Sequence, residues 1–326
     1  MWLRGRRQSL LVVCQRRRYV AAGAFLVVLA AAGRAPGWAV PPALPPASQP
    51  AAVRGGLGAP HAALPSVPFS GLRYDLRVDV PVTAAALAGW IVSEALKSRL
   101  APASCHWCAV NKFDAAARQS LRWHSTGTAD TLSSVTVYAL APLAASGLYV
   151  LAAGHESAWR DFPRRDLLID GVLVVEATAL AMDLSEVMKL SVGRERPFVH
   201  VLPAGEKRRT ADPADNNTSF LSGHVTLAFA LASAAGTLAF LRRYRWAGWV
   251  LGAGLVVATT TAYLRVAADR HYLSDVMTSA TVGSAVGFGV PWFWHRRPPD
   301  TRGSGVRLLP LAAPRGGAGM SVLWVR

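Results

Sequence analysis

The chain is short of acids and of cysteine. Asp and Glu account for only 19 of 326 residues, against 35 Lys and Arg, and all charged residues together make up 17%. No acid precedes Asp75. Hydrophobic residues make up 52% and the mean hydropathy is +0.27, which excludes an ordinary charge-covered soluble domain and points to a membrane. Three cysteines are too few for a disulfide-built scaffold. Cys14 stands among arginines, while Cys105-His106-Trp107-Cys108 fits a metal site, a redox pair, a local disulfide or two unlinked thiols. A zinc site of that type needs a second ligand pair at suitable spacing, and none occurs, so no metal is expected. No internal repeat is visible.

The positive charge sits at the ends. Residues 1–74 hold nine Arg and no acid, and residues 296–326 hold six Arg and Asp300, so the ends supply most of the net +16. A nucleic-acid-binding domain carries its charge on the folded body, so that class is set aside. Basic ends around an apolar middle fit segments held on the cytoplasmic side of a membrane.

Four regions follow. Residues 1–39 have the layout of a secretory signal or N-terminal anchor: Arg16-Arg17-Arg18, an apolar run from Tyr19 to Ala32, then small residues around Gly37-Trp38-Ala39. Residues 40–78 begin with a Pro/Ala/Gly-rich stretch and read as a flexible, disordered linker. Residues 79–295 hold six apolar segments, near 80–92, 132–153, 167–190, 225–241, 247–267 and 272–294. The expected fold is all-α, a membrane bundle of about five to six helices, with the short first segment lying in the interface. Residues 296–326 form a basic tail with no legible motif. Arg160, Arg164 and Arg165, then Arg242, Arg243 and Arg245, then Arg296 and Arg297, fall on one side of this bundle. By loop charge that side is cytoplasmic, so the loop near 191–223 and the junction near 265–271 face outward.

Three clusters lie on that outward side. Lys189 is followed after six residues by Arg196-Pro197; then comes Ser222-Gly223-His224; then Arg265, His271 and Asp275. Lys189, Arg196 and Arg265 are suited to holding phosphate oxygens, Arg bidentately and Lys as a point charge. Ser222 and the Gly223 N–H open a helix, where unpaired N–H groups and the dipole favour an anion. His271 and Asp275, four apart, share a face if helical, and the carboxylate would then fix the tautomer that leaves one imidazole nitrogen free to attack. His224 is placed to protonate a leaving oxygen. The reaction these parts compose is phosphoryl transfer to His271 and hydrolysis of the phosphohistidine, with no metal or cofactor called for. Glu176 and Asp183, seven apart in the third segment, share a face and either pair with cations or meet water. Asn216 and Asn217 read as solvated turn residues.

The clusters resemble the tripartite signature of the type 2 phosphatidic acid phosphatase superfamily, which includes membrane lipid phosphatases, soluble bacterial acid phosphatases and vanadium haloperoxidases. The pattern is Lys-x6-Arg-Pro, Pro-Ser-Gly-His, and Ser-Arg-x5-His-x3-Asp. The first matches fully; Leu221 replaces the Pro of the second and Leu264 the Ser of the third. The resemblance implies a metal-independent phosphatase of a lipid phosphomonoester or pyrophosphate. Its catalytic residues would be His271, His224 and Asp275, and its phosphate ligands Lys189, Arg196, Ser222, Gly223 and Arg265. With the loop charges, the expectation is a multi-pass protein of a bacterial inner membrane with the site facing the periplasm; with the charge at the ends, it is no nucleic-acid partner. A vanadate-dependent haloperoxidase and a catalytically silent lipid-binding protein are the alternatives. Oligomeric state is not legible.

Overall fold

The computed structural model describes residues 71–157, 159 and 162–297, and the backbone of 305–312 and 318–325. The signal-like segment 1–39 and the linker up to residue 70 lie outside the described residues.

Seven main helices follow in order: α1 (Leu76–Ala95), α2 (Lys112–Leu121), α3 (Thr126–Glu156), α4 (Arg164–Val192), α5 (Gly223–Leu241), α6 (Ala247–Ala267) and α7 (Leu273–Gly289). A π-helical turn, Thr136–Leu140, lies within α3, and another, Val290–Trp294, prolongs α7. The helical unit is all-α, as its apolar segments imply. Helices α1, α3, α5 and α6 are each long and apolar enough to cross a bilayer. The tail adds an antiparallel hairpin, β1 (Gly305–Ala312) and β2 (Ala318–Val325), with Gly305 opposite Val325 and Ala312 opposite Ala318.

The most enclosed helix is α5, 78% of whose span is buried, against α3, α4, α6 and α7. Its many Ala, Gly, Ser and Thr residues explain how: at those positions the side chains are small enough for neighbouring backbones to come close. A Cβ on Gly283 of α7 would stand 2.6 Å from the carbonyl oxygen of Thr226, so α7 rests directly on the α5 backbone. Leu173 and Ala177 of α4, Leu231, Ala234 and Leu238 of α5, and Val250 of α6 fill the main core.

The first helix differs from expectation. It has 20 residues, starts at Leu76 and is capped by Asp75, which accepts from the Arg77 N–H at 3.0 Å. The polar residues Asp79, Ser93 and Glu94 near its ends dilute the apolar signal and make it look like a short interfacial segment. It lies parallel to α4: Asp79 stands beside Glu176, Gly89 beside Asp183, and Glu94 lies 3.8 Å from Lys189. Glu176 and Asp183 thus share the α1-facing side, as their spacing predicts. Residues 71–75, assigned by sequence to the linker, belong to this unit, because the Arg73 N–H donates to the His295 carbonyl at 2.8 Å.

The bundle has two distinct ends. Arg242, closing α5, pairs with Asp170 of α4 at 2.6 Å, and Tyr149 of α3 donates to the same carboxylate at 2.7 Å. The start of α4, the α5–α6 turn and the end of α7 therefore share one end with their arginines. The three sequence clusters gather at the other.

Candidate active site

The first cluster is shaped by Gly193. It ends α4 at φ +58, a left-handed conformation glycine adopts without penalty, and sends the chain back over the bundle. Lys189 lies in the last turn before it, and Arg196 just after. A strap made of residues 105–108, closed by a Cys105–Cys108 disulfide, holds this turn. The His106 N–H donates to the Gly193 carbonyl at 2.9 Å, and the Glu195 N–H to the Trp107 carbonyl at 3.2 Å. Of the readings open for Cys-His-Trp-Cys, the local disulfide is the one formed.

Each cation is oriented by a carboxylate. Lys189 Nζ contacts Glu186; Arg196 lies 3.2 Å from Asp215; Arg265 donates to Asp130 at 2.6 Å and to Ser133 at 3.1 Å. Asp215 also meets Lys97 at 2.5 Å. Burial works to raise the Asp215 carboxyl, but Arg196 and Lys97 outweigh it and hold the group below the usual carboxylate range. Arg196 is therefore pinned by a residue that stays ionised. Asn216 and Asn217 are buried rather than solvated: Asn216 donates to the Lys207 carbonyl at 2.6 Å and Asn217 to the Pro102 carbonyl at 2.9 Å, so they brace the loop that carries Asp215.

Ser222 occupies the N-cap position of α5, but its hydroxyl makes no capping bond and is buried without a protein partner. The Nε of Arg265 is in the same condition. Two buried, unpaired polar groups in one cluster are costly unless a ligand satisfies them. Gly223 follows, and a Cβ there would stand 2.9 Å from Lys189 Nζ, so only glycine lets the ammonium reach the start of α5. His224 Nε2 lies 3.4 Å from the Ser134 hydroxyl, with the Tyr138 ring centred 5.1 Å away.

His271 precedes α7 rather than lying on it, because Tyr272 is the N-cap. The four-residue spacing to Asp275 therefore does not make a helical pair, and Asp275 does not orient the imidazole directly. His271 Nδ1 lies 2.7 Å from the Ser219 carbonyl oxygen. That oxygen only accepts, so Nδ1 carries the proton and Nε2 keeps its lone pair. Asp275 acts one step back: it accepts from the Ser219 hydroxyl at 2.6 Å and the Tyr272 N–H at 3.0 Å, fixing the backbone on either side of the histidine contact. Lys189, Arg196 and Arg265 all bear electrostatically on both His224 and His271. The residues expected from sequence to bind phosphate and the two histidines thus lie in one cluster.

Burial, then Arg196 and Arg265, hold His271 well below the ordinary imidazole value, against the hydrogen bond its ring donates to the Ser219 carbonyl. A lowered value means that the neutral form persists as pH falls through the usual imidazole range. In a detergent-micelle NMR titration with labelled histidine, assigned by loss of the signal in His271→Asn, the His271 midpoint is expected clearly below the usual imidazole range. A midpoint within that range would show that burial and the cations do not hold the ring neutral.

The sequence reading missed a further group. Arg194 is fully buried, contacts Asp275, donates to Asp114 of α2 at 2.6 Å, and lies between the rings of Trp107 at 4.0 Å and Tyr272 at 4.3 Å. Arg118 of α2 pairs with Asp269 at 2.6 Å, at the turn just before His271. The one available signal was the Arg194-Glu195-Arg196 run. Leu221 and Leu264, the departures from the family pattern, are both buried; Leu264 packs with Ala129 and Ala267.

Residues 170–299 match the family model of the PAP2 superfamily. That stretch, about two fifths of the chain, is similar to the PAP2 superfamily. The match supports, at the family level, a hydrolase of phosphoric esters acting at a membrane. A transmembrane PAP2 type phosphatidylglycerolphosphate phosphatase from Bacillus subtilis is similar over 66% of this chain and 94% of its own, at 20% identity and a TM-score of 0.40. A likeness that distant bears on neither substrate nor mechanism. No curated protein matches significantly.

Proposed function

We propose that this protein hydrolyses a lipid phosphomonoester or pyrophosphate through a phosphohistidine on His271 Nε2. The observation that carries the reading is His271 itself, with Nδ1 committed to Ser219 and three cations converging on it. Lys189, Arg196 and Arg265 hold the equatorial oxygens, with Ser222 and the opening N–H groups of α5. Nε2 attacks phosphorus as the bond to the leaving oxygen breaks, and His224 gives that oxygen a proton. Water then attacks the phosphoryl group, His224 takes its proton, the P–N bond breaks, and inorganic phosphate leaves. Asp275 is a positioning residue acting through Ser219.

The test is phosphate release by detergent-purified protein, with EDTA in the assay, from undecaprenyl pyrophosphate, phosphatidate, phosphatidylglycerophosphate and a soluble aryl phosphate. Release that collapses in His271→Ala and His224→Ala supports the reading, and the best lipid names the substrate. No release by folded wild type from any of the four would overturn it.

We also infer that the site faces the periplasm across a bacterial inner membrane. Two features support this: the arginines of the other end, and a disulfide at the site end, since such bonds persist outside the reducing cytosol. In a Cys14→Ser background, Ala204→Cys is expected to react with an impermeant maleimide in intact cells. Reaction only after lysis would invert the topology.

A further inference from the structure

At the arginine-bearing end, three side chains converge that the phosphatase chemistry does not use. Asp79 comes from the first turn of α1, Glu176 from the middle of α4, and His295 from the chain leaving α7. One ligand-type atom from each lies within 4.8 Å of the others. All three are almost completely buried, with 7%, 2% and 3% of their surface exposed. Glu176 is thirteen residues before Lys189, roughly 20 Å along the helix at 1.5 Å per residue, so this cluster is separate from the phosphate site.

Glu176 Oε2 and His295 Nε2 face each other at 3.7 Å and neither has a hydrogen-bond partner. That separation is too long for a hydrogen bond. It is close to the roughly 3.3–3.6 Å between two donors that share one tetrahedral ion at about 2.0–2.2 Å each. The imidazole is prepared for such a bond. His295 Nδ1 lies 3.2 Å from the Arg73 carbonyl oxygen, which only accepts, so in the neutral ring Nε2 holds the lone pair. Asp79 is likewise fixed, its Oδ2 accepting from the Asp75 N–H at 2.8 Å. Two buried carboxylates beside one imidazole leave at least one negative charge that even a protonated His295 does not offset, and a bound cation would.

We propose that Asp79, Glu176 and His295 form a structural site for a divalent first-row metal ion, a mixed oxygen and nitrogen set that suits zinc. The ion ties together the entry of the helical unit, its α4 spine and its exit, where Leu72 already pairs with Arg296. It takes no part in phosphoryl transfer.

The probe is zinc itself, with full-length protein in detergent. After exposure to zinc and desalting, wild type is expected to retain one zinc per chain by mass spectrometry and to unfold at a higher temperature than before loading. Retained zinc should fall at least about tenfold in Glu176→Gln and His295→Ala, as loss of a ligand commonly weakens a metal site by that much or more. It should be unchanged in His106→Ala, which tests the other histidine beside sulfur ligands. If the first two variants do not fold, Asp79→Asn and the wild-type melting shift decide. Wild type that retains no zinc and melts unchanged with it overturns the site, as does equal retention in folded Glu176→Gln and His295→Ala.

Discussion

His271→Ala is expected to release phosphate on the order of 10⁴-fold more slowly than wild type, about 5.4 kcal/mol in the barrier, while still folding. The size follows from the role. Removing the nucleophile leaves the cations and the α5 N-terminus to bind substrate but gives phosphorus nothing to bond to. Binding should persist, so kcat falls and KM stays near its wild-type value. The fold should hold because the lost side chain is a neutral ring with one protein hydrogen bond, to the Ser219 carbonyl. Added imidazole should restore part of the rate in His271→Ala and none in His224→Ala, whose defect is proton transfer. Asp275→Asn separates orientation from attack: it weakens the bracing of Ser219 and Tyr272 yet leaves Nε2 in place, so its loss should be smaller. Full activity in His271→Ala would end the phosphohistidine reading.

Arg194→Leu is expected to lower the unfolding free energy by about 3–5 kcal/mol, the usual cost of removing one partner from a buried charge cluster. Arg194 stands between Asp114 and Asp275, and all three are essentially without solvent contact. Without the guanidinium, two carboxylates remain buried near each other. Arg194→Lys should rescue little, since an ammonium neither spans both carboxylates nor stacks flat between Trp107 and Tyr272. Arg194→Leu combined with Asp114→Asn should recover part of the loss, because one of the stranded charges is gone. Thermal unfolding in detergent reads all four proteins. A melting temperature unchanged in Arg194→Leu would mean that the cluster is solvated and contributes little.

The helices were legible because a membrane helix is written in consecutive apolar residues. The expected 247–267 is α6 to the residue, and 225–241 differs from α5 by two residues at its start. Errors fall where that signal weakens. Asp79, Ser93 and Glu94 made α1 look short, and α2, with the sequence Lys-Phe-Asp-Ala-Ala-Ala-Arg-Gln-Ser-Leu, has no long apolar run to detect. At the site, the groups proposed to meet phosphate stand in short fixed spacings. The groups that hold them do not: Asp114 reaches Arg194 across 80 residues and Asp130 reaches Arg265 across 135. Contacts at such separations leave no local pattern. Asp275 shows the limit of spacing alone. The residue was found, but its task depended on whether the helix began before or after His271.

The close seat of α7 on α5 at Gly283 bears on how the enzyme responds to its bilayer. His224, the proposed proton donor, opens α5, and His271, the proposed nucleophile, directly precedes α7; these two helices touch backbone to backbone, so the distance between the histidines should vary little. Lys189 and Arg196 belong to a different element, α4 and the turn beyond it. When lipid thickness or lateral pressure changes, the α5–α7 pair should tilt as one piece, and the slack should be taken up between that piece and the phosphate clamp. Changes of lipid environment should then register mainly in apparent substrate affinity, with turnover at saturation nearly constant.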